Sequence, residues 1–192
     1  MSNSATGKKA KTQARLIEAA YAEIVDKGFA AASLDAIARR AGMTKGAIYS
    51  NYRDKAGLLM AVRDAKEPRI RVRLEAGASL ARQMEIMAES VIEDLPRSAG
   101  AQQFVTDYHR YASADEDFHG ALTAQYERMF DRGAAFFEAY ADEMTVTPRG
   151  FAVMIQTLII GLVQQSILTP EEIGPQTIRN AFRVLGEGVR RR

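Results

Sequence analysis

Apolar positions recur every three or four residues along most of this chain. Ile17, Ala20, Tyr21 and Ile24 stand at i, i+3, i+4 and i+7, and Leu34, Ile37, Ala38 and Ala41 repeat that stripe, which is the period of a helix with one buried face. No period-two alternation lasts beyond a few positions, so the pattern predicts an all-α chain. The expected helices cover 10–27, 34–41, 45–51, 54–66, 69–94, 99–113, 116–143, 149–168 and 176–189. Pro68, Pro96, Pro148, Pro170 and Pro175 punctuate those segments, where a residue lacking an N–H is tolerated.

Local signals bound the first four helices. Gly28 is placed to end the first, and Phe29 to return the chain to the core. Ser33 is a good N-cap for the second, Asp35 suits the positive end of its dipole, and Gly42 stops it after about two turns. Thr44 then caps a third, very short helix, with Met43 and Ile48 at the spacing of a hydrophobic staple. Two short helices joined by a tight glycine turn form a helix-turn-helix, whose second helix enters the DNA major groove. Ile48 and Tyr52 face inward at i and i+4, leaving Lys45, Gly46, Ala47, Tyr49, Ser50 and Asn51 around the outer surface. Asp54 caps the fourth helix, and Lys55 adds a cation to a helix start suited to phosphate. A purely structural helical hairpin is the alternative reading.

Charge adds to the first reading without closing the second. The net charge of +2 conceals an asymmetry: residues 1–73 hold 15 Lys+Arg against 7 Asp+Glu, which is +8, and the remainder is −6. All seven lysines lie in the first part. A basic end carrying a helix-turn-helix points to double-stranded DNA as partner. There is no cysteine, hence no disulfide framework and no thiolate metal site. The longest apolar-dominated run, Phe151 to Val163, is 13 residues, short of the ~20 that span a bilayer. Met1 to Lys11 lacks the apolar core of a signal peptide. The expectation is a soluble cytoplasmic protein with no membrane partner, no metal and no cofactor.

An enzyme reading rests on Glu116-x-x-His119, a spacing that builds di-iron centres in helical bundles when it occurs twice. It occurs once here, so the ligand set is incomplete. Gly186-x-Gly188 follows no strand, and no HExxH, Gly-x-Ser-x-Gly or P-loop pattern is present. The expectation is a protein that is not an enzyme.

The runs Arg15-Leu-Ile-Glu-Ala-Ala-Tyr, Lys27-Gly-Phe, Ala32-Ser-Leu-Asp-Ala-Ile-Ala, Ala41-Gly-Met-Thr-Lys-Gly-Ala-Ile-Tyr-Ser-Asn-Tyr and Asp54-Lys-Ala-Gly-Leu-Leu closely resemble the N-terminal domain of the tetracycline-repressor (TetR) family. The resemblance covers residues 11–62 and runs through four helices and both turns in register. It implies a DNA-binding domain over 1–53, with a larger helical ligand-binding and dimerisation domain over 54–192. It also implies a homodimeric transcription regulator, usually a repressor, that leaves a (pseudo)palindromic operator when a small-molecule effector binds; an activator of the same fold is the alternative. By resemblance, Ser33, Thr44, Tyr49 and Lys55 fall at phosphate-contacting positions, while Lys45 and Ala47 fall where base edges are met, with Gly46 between them. Ser50 stands where some members carry a large aromatic, and Asn51 where His is frequent, which leaves the operator sequence open.

The C-terminal part carries weaker signals. The stripe Phe151, Ile155, Leu158, Ile159 and Leu162, continued by Ile178, Phe182 and Leu185, has two readings: a four-helix dimer face or the core of its own chain. The resemblance favours the first. Met84, Met87, Phe104, Tyr108, Tyr126, Met129 and Phe130 are candidates to line an effector pocket, Met for adaptable surface and Tyr for a polar handle.

Overall fold

The computed structural model describes residues 2–67 and 70–191, excepting the side chains of 2–6, 99 and 100. Pro68 therefore lies outside the described residues. Among them the chain is all-α: α1 Ser2–Ala31, α2 Leu34–Ala41, α3 Lys45–Asn51, α4 Lys55–Lys66, α5 Leu80–Gly100, α6 Gln102–Ala112, α7 Glu116–Phe137, α8 Pro148–Leu168 and α9 Pro175–Gly188. A 3-10 segment, Glu138–Glu143, follows α7. An isolated antiparallel bridge joins Met144 to Arg190.

Two compact units result, Met1–Glu67 with Gln103–Ala124, and Pro68–Gln102 with Gln125–Arg192. By compactness α4 and residues 103–124 group with the helix-turn-helix, so the units are not divided at a single point of the chain. There Leu16, Ala20, Ile37, Ile48, Leu58, Leu59 and Val62 are each fully buried. Phe29 extends this core into an aromatic cluster, with ring centroids 5.4 Å from Phe104, 5.9 Å from Tyr111 and 6.1 Å from Phe118. The core of the second unit is a separate cluster built around Met84, Met87, Val91, Phe137, Phe151 and Phe182.

The structure departs from the sequence expectations in four places, besides the helix expected over 116–143, which ends at Phe137 and gives way to the 3-10 segment. α1 begins at Ser2 rather than residue 10; its first turns carry no apolar stripe that would predict them, and Lys8, Lys9 and Lys11 are exposed. Its far end breaks at Gly28, where φ is 81°. α5 runs through Pro96 to Gly100 instead of ending before it.

Third, α5 starts at Leu80, and residues 70–75 form a non-helical strap instead of the expected helix from 69. The Arg71 N–H donates to Asp94 Oδ2 at 2.7 Å, the Arg73 N–H to Ser90 Oγ at 3.1 Å and the Glu75 N–H to Gln83 Oε1 at 3.0 Å. Gln83 returns a bond from Nε2 to the Arg73 carbonyl at 3.2 Å. Alternate N–H groups thus face one way, as in an extended chain, while Ile70 and Val72 pack against the core cluster. The three receiving side chains on α5 are buried.

Fourth, α8 reaches 21 residues, and its mean hydropathy of 1.8 over an 18-residue window makes it long and apolar enough to cross a membrane by length and composition. The expectation that no segment is that long counted the central run and omitted the flanks 148–150 and 164–168. The side of α8 formed by Phe151, Ala152, Ile155, Ile159 and Leu162 is buried in the second unit.

Candidate nucleic-acid interface

Capping at each junction fixes α2 and α3. The Ser33 hydroxyl accepts the Ala36 N–H at 3.2 Å to start α2. α2 ends in a left-handed Gly42 (φ 62°, ψ 38°), with the Gly42 N–H on the Arg39 carbonyl and the Met43 N–H on the Ala38 carbonyl at 2.9 Å, which is a Schellman closure. Thr44 then caps α3 through the Ala47 N–H at 3.3 Å. The Arg15 guanidinium donates to the Ala41 carbonyl at 2.7 Å, pinning α1 against the end of α2. A buried acid completes the frame: Glu23 meets Lys27 at 2.6 Å and Arg40 at 3.2 Å, and Arg40 also pairs with Asp26. The Lys27 hydrogen bond is the main reason that the Glu23 carboxyl lies below its ordinary range.

The inward and outward faces of α3 fall where its sequence puts them. Ile48 is fully buried, and the half-buried Tyr52 donates from its hydroxyl to the Gln13 carbonyl at 3.4 Å. Lys45, Gly46, Tyr49 and Ser50 are exposed, Tyr49 by 52%. Ala47 and Asn51 are half-buried. The Asn51 amide donates to the Ala47 carbonyl at 2.8 Å and Ser50 Oγ donates to the same carbonyl at 3.0 Å, so both polar groups are turned back onto their own helix. Lys45 Nζ lies 3.2 Å from Asp35 Oδ2, bridging α3 to α2. A side chain at Gly46 would meet nothing closer than Thr44 Oγ1 at 3.6 Å, so the chain's own packing does not require glycine there.

α4 begins with the Asp54 carboxylate accepting the Gly57 N–H at 2.7 Å. Three of its cations lie over tyrosine rings within the first unit: Lys55 over Tyr111 at 5.2 Å, Arg63 over Tyr108 at 5.2 Å and Lys66 over Tyr21 at 4.8 Å. Arg63 Nε also faces Glu67 Oε2 at 2.9 Å, and the Tyr108 hydroxyl donates to Glu67 Oε1 at 3.0 Å. Burial draws the Lys55 ammonium below its usual range, an effect that Asp115 opposes. Lys55 is therefore engaged inside the unit as well as standing at a helix start. Sequence reasoning did not pair Lys45 with Asp35 or Lys55 with Tyr111 and Asp115, because no local motif joins them across helices.

The other predicted sets need correction. Phe151, Ile155, Ile159, Leu162, Ile178 and Phe182 are buried in their own chain, and Leu158 and Leu185 pack partly against the same core, so this stripe is not a surface awaiting a second copy. The exposed apolar residues lie on the other side of these helices: Val153, Met154, Ile160, Ile167 and Leu168 on α8, and Val184 on α9. The stripe was misassigned because α8 is apolar on both sides, and period alone does not say which side is covered.

The seven pocket candidates are likewise dispersed. Phe104 and Tyr108 belong to the aromatic core of the first unit. Met84 and Met87 fill the core of the second, while Tyr126 and Phe130, half-buried on α7, stack outside that cluster with centroids 6.2 Å apart. Met129 is half-buried on α7. A groove of about 530 Å³ between α5 and α9 takes Met84 alone of the seven, and its walls are charged, with Arg82, Glu85, Glu89, Arg179 and Arg183 among them.

Comparison with known proteins places these features in a family. Residues 16–62 match the family model described as bacterial regulatory proteins, tetR family. Over 94 residues, 49% of this chain, the sequence is 31% identical to the HTH-type transcriptional regulator SrpR of Pseudomonas putida and covers 44% of it. The uncharacterized HTH-type transcriptional regulator TtgW, likewise of Pseudomonas putida, is also 31% identical over 94 residues and is covered to 69%. The match thus spans less than half of SrpR and about two thirds of TtgW. Among solved structures, native NalD, the secondary repressor of the MexAB-OprM multidrug efflux pump in Pseudomonas aeruginosa, superposes with a TM-score of 0.68 at 20% identity, covering 96% of this chain and 98% of that one.

Proposed function

Because the chain belongs to the tetR family of bacterial regulatory proteins, we propose that it is a DNA-binding transcription regulator that acts as a homodimer and whose hold on an operator is set by a small molecule. The observation that carries the reading is the outer face of α3. Two caps and a Schellman turn hold it rigidly, Lys45, Tyr49 and Ser50 project from it, and at Gly46 the chain accepts a helix-weakening residue that its own packing does not require. Lys45 reads base edges in this scheme; Ser33, Thr44, Tyr49 and Lys55 hold phosphates and set the register. The second copy covers the exposed apolar side of α8, which gives that surface an occupant in a twofold, self-complementary arrangement. Repression is the sense of regulation usual in the family.

The effector acts through differential affinity for two conformations. In one, the two α3 helices stand ~34–36 Å apart, the spacing of successive major grooves; in the other, α4 has carried them off that spacing. The test is selection of bound duplexes from random DNA by the purified protein, followed by a screen for compounds that release the selected duplex. Recovery of a palindromic site with half-sites one helical turn apart supports the reading. Enrichment of no sequence, with retention that Lys45→Ala and Tyr49→Phe leave untouched, overturns it.

A further inference from the structure

We propose that Tyr111 and Asp115 are positioning residues for Lys55: together they form a built-in counterion with which a DNA phosphate must compete. This rests on the reading of the α4 start as a phosphate contact. Lys55 is the first residue of α4, where outward N–H groups and the helix dipole favour an anion. Its ammonium nevertheless lies on the Tyr111 ring, 5.2 Å from the centroid, and Tyr111 is 9% exposed. The Tyr111 hydroxyl donates to one oxygen of Asp115. The other oxygen accepts the Phe118 N–H at 2.9 Å, capping α7. The carboxylate is thus fixed from two directions beside the ring that carries the cation, and all four residues belong to one compact unit.

A cation held this way meets DNA with part of its charge already matched. Binding a phosphate brings a second anion into a place where Asp115 is immobile, so the contact is weaker than that of a solvated lysine, by equal amounts on every sequence. The same arrangement marks the salt dependence. Each phosphate neutralised by a free cation adds about 0.9 to the slope of log affinity against log salt, and a lysine already neutralised in part adds less. Tyr111 and Asp115 therefore set how much Lys55 contributes without touching DNA themselves.

Asp115→Asn isolates the charge, since Asn caps a helix as well as Asp and its amide still pairs with the tyrosine hydroxyl. Asp115→Ser, another capping residue without charge, provides a second neutral variant. Fluorescence anisotropy across a salt series, with the selected duplex and a scrambled one of equal length, reads the effect. Both variants are expected to bind both duplexes roughly two- to fivefold more tightly than the unsubstituted protein, the scale of an exposed ion pair, with a slope steeper by up to about one unit. Neither change appears when the variants are made on a Lys55→Ala background. An unaltered slope and affinity, or the same gain without Lys55, overturns the proposal while leaving DNA binding intact. If the unsubstituted protein retains neither duplex, the DNA-binding reading falls and this proposal falls with it.

Discussion

At the scale of single residues, Gly46 sets stability against binding. It stands inside α3 with room for a methyl group, 3.6 Å from its nearest neighbour. Gly46→Ala is therefore expected to raise the melting temperature, by a stabilisation of roughly 0.5–1 kcal/mol, while weakening operator binding through the lost close approach. Thermal unfolding and anisotropy on the same variant check both signs. Lys45→Ala should change which sequences are preferred, whereas Tyr49→Phe and Lys55→Ala should weaken all duplexes alike. Asp35→Asn, which removes the partner of Lys45 at 3.2 Å, should strengthen binding at low salt. The caps Ser33, Thr44 and Asp54 were legible because a cap is decided within four residues. The partners of Lys45 and Lys55 were not, because Asp35 and Tyr111 reach them only through the packing of one helix on another.

Among the elements, the strap before α5 shows how a short period can be hidden. Ile70-Arg71-Val72-Arg73-Leu74 alternates strictly, yet five residues did not outweigh the helical periods on either side. The acceptors that select the alternation, Gln83, Ser90 and Asp94, lie on another element. Ser90→Ala is expected to cost about 1–3 kcal/mol by leaving the Arg73 N–H without its acceptor, with faster hydrogen exchange at that amide. Asp94 gives the strap a pH dependence. Its carboxyl is held below the usual range chiefly by the Arg71 N–H and further by Arg97, so its contribution is complete above the ordinary carboxylate pKa of about 4 and disappears as pH falls through the lower folded value. Exchange protection at Arg71, followed down the acid limb, should be lost in the unsubstituted protein and already reduced at neutral pH in Asp94→Ala. α8 was legible in place and length to within a residue at its start, but its orientation was not, since both of its sides are apolar.

For the molecule as a whole, the exposed side of α8 makes the strongest demand. Ile160 and Leu168 are 44% and 66% exposed on a helix whose opposite side is already buried. Ile160→Glu is expected to yield a monomer in sedimentation while helix content by circular dichroism stays unchanged, and to weaken operator binding because two half-sites can no longer be held by one particle. The net charge follows the same logic of parts: a total of +2 says little, whereas +8 over residues 1–73 falls on the end proposed to meet DNA. The strap has one more use. α5 grips it by main-chain N–H groups, and the exposed side chain of Arg71 adds only a minor charge attraction to Asp94. In a sequence without cysteine, a single Arg71→Cys offers a unique attachment point for a dye. Such a label would test for the proposed effector-driven rearrangement in solution without altering either the proposed DNA face or the proposed dimer side.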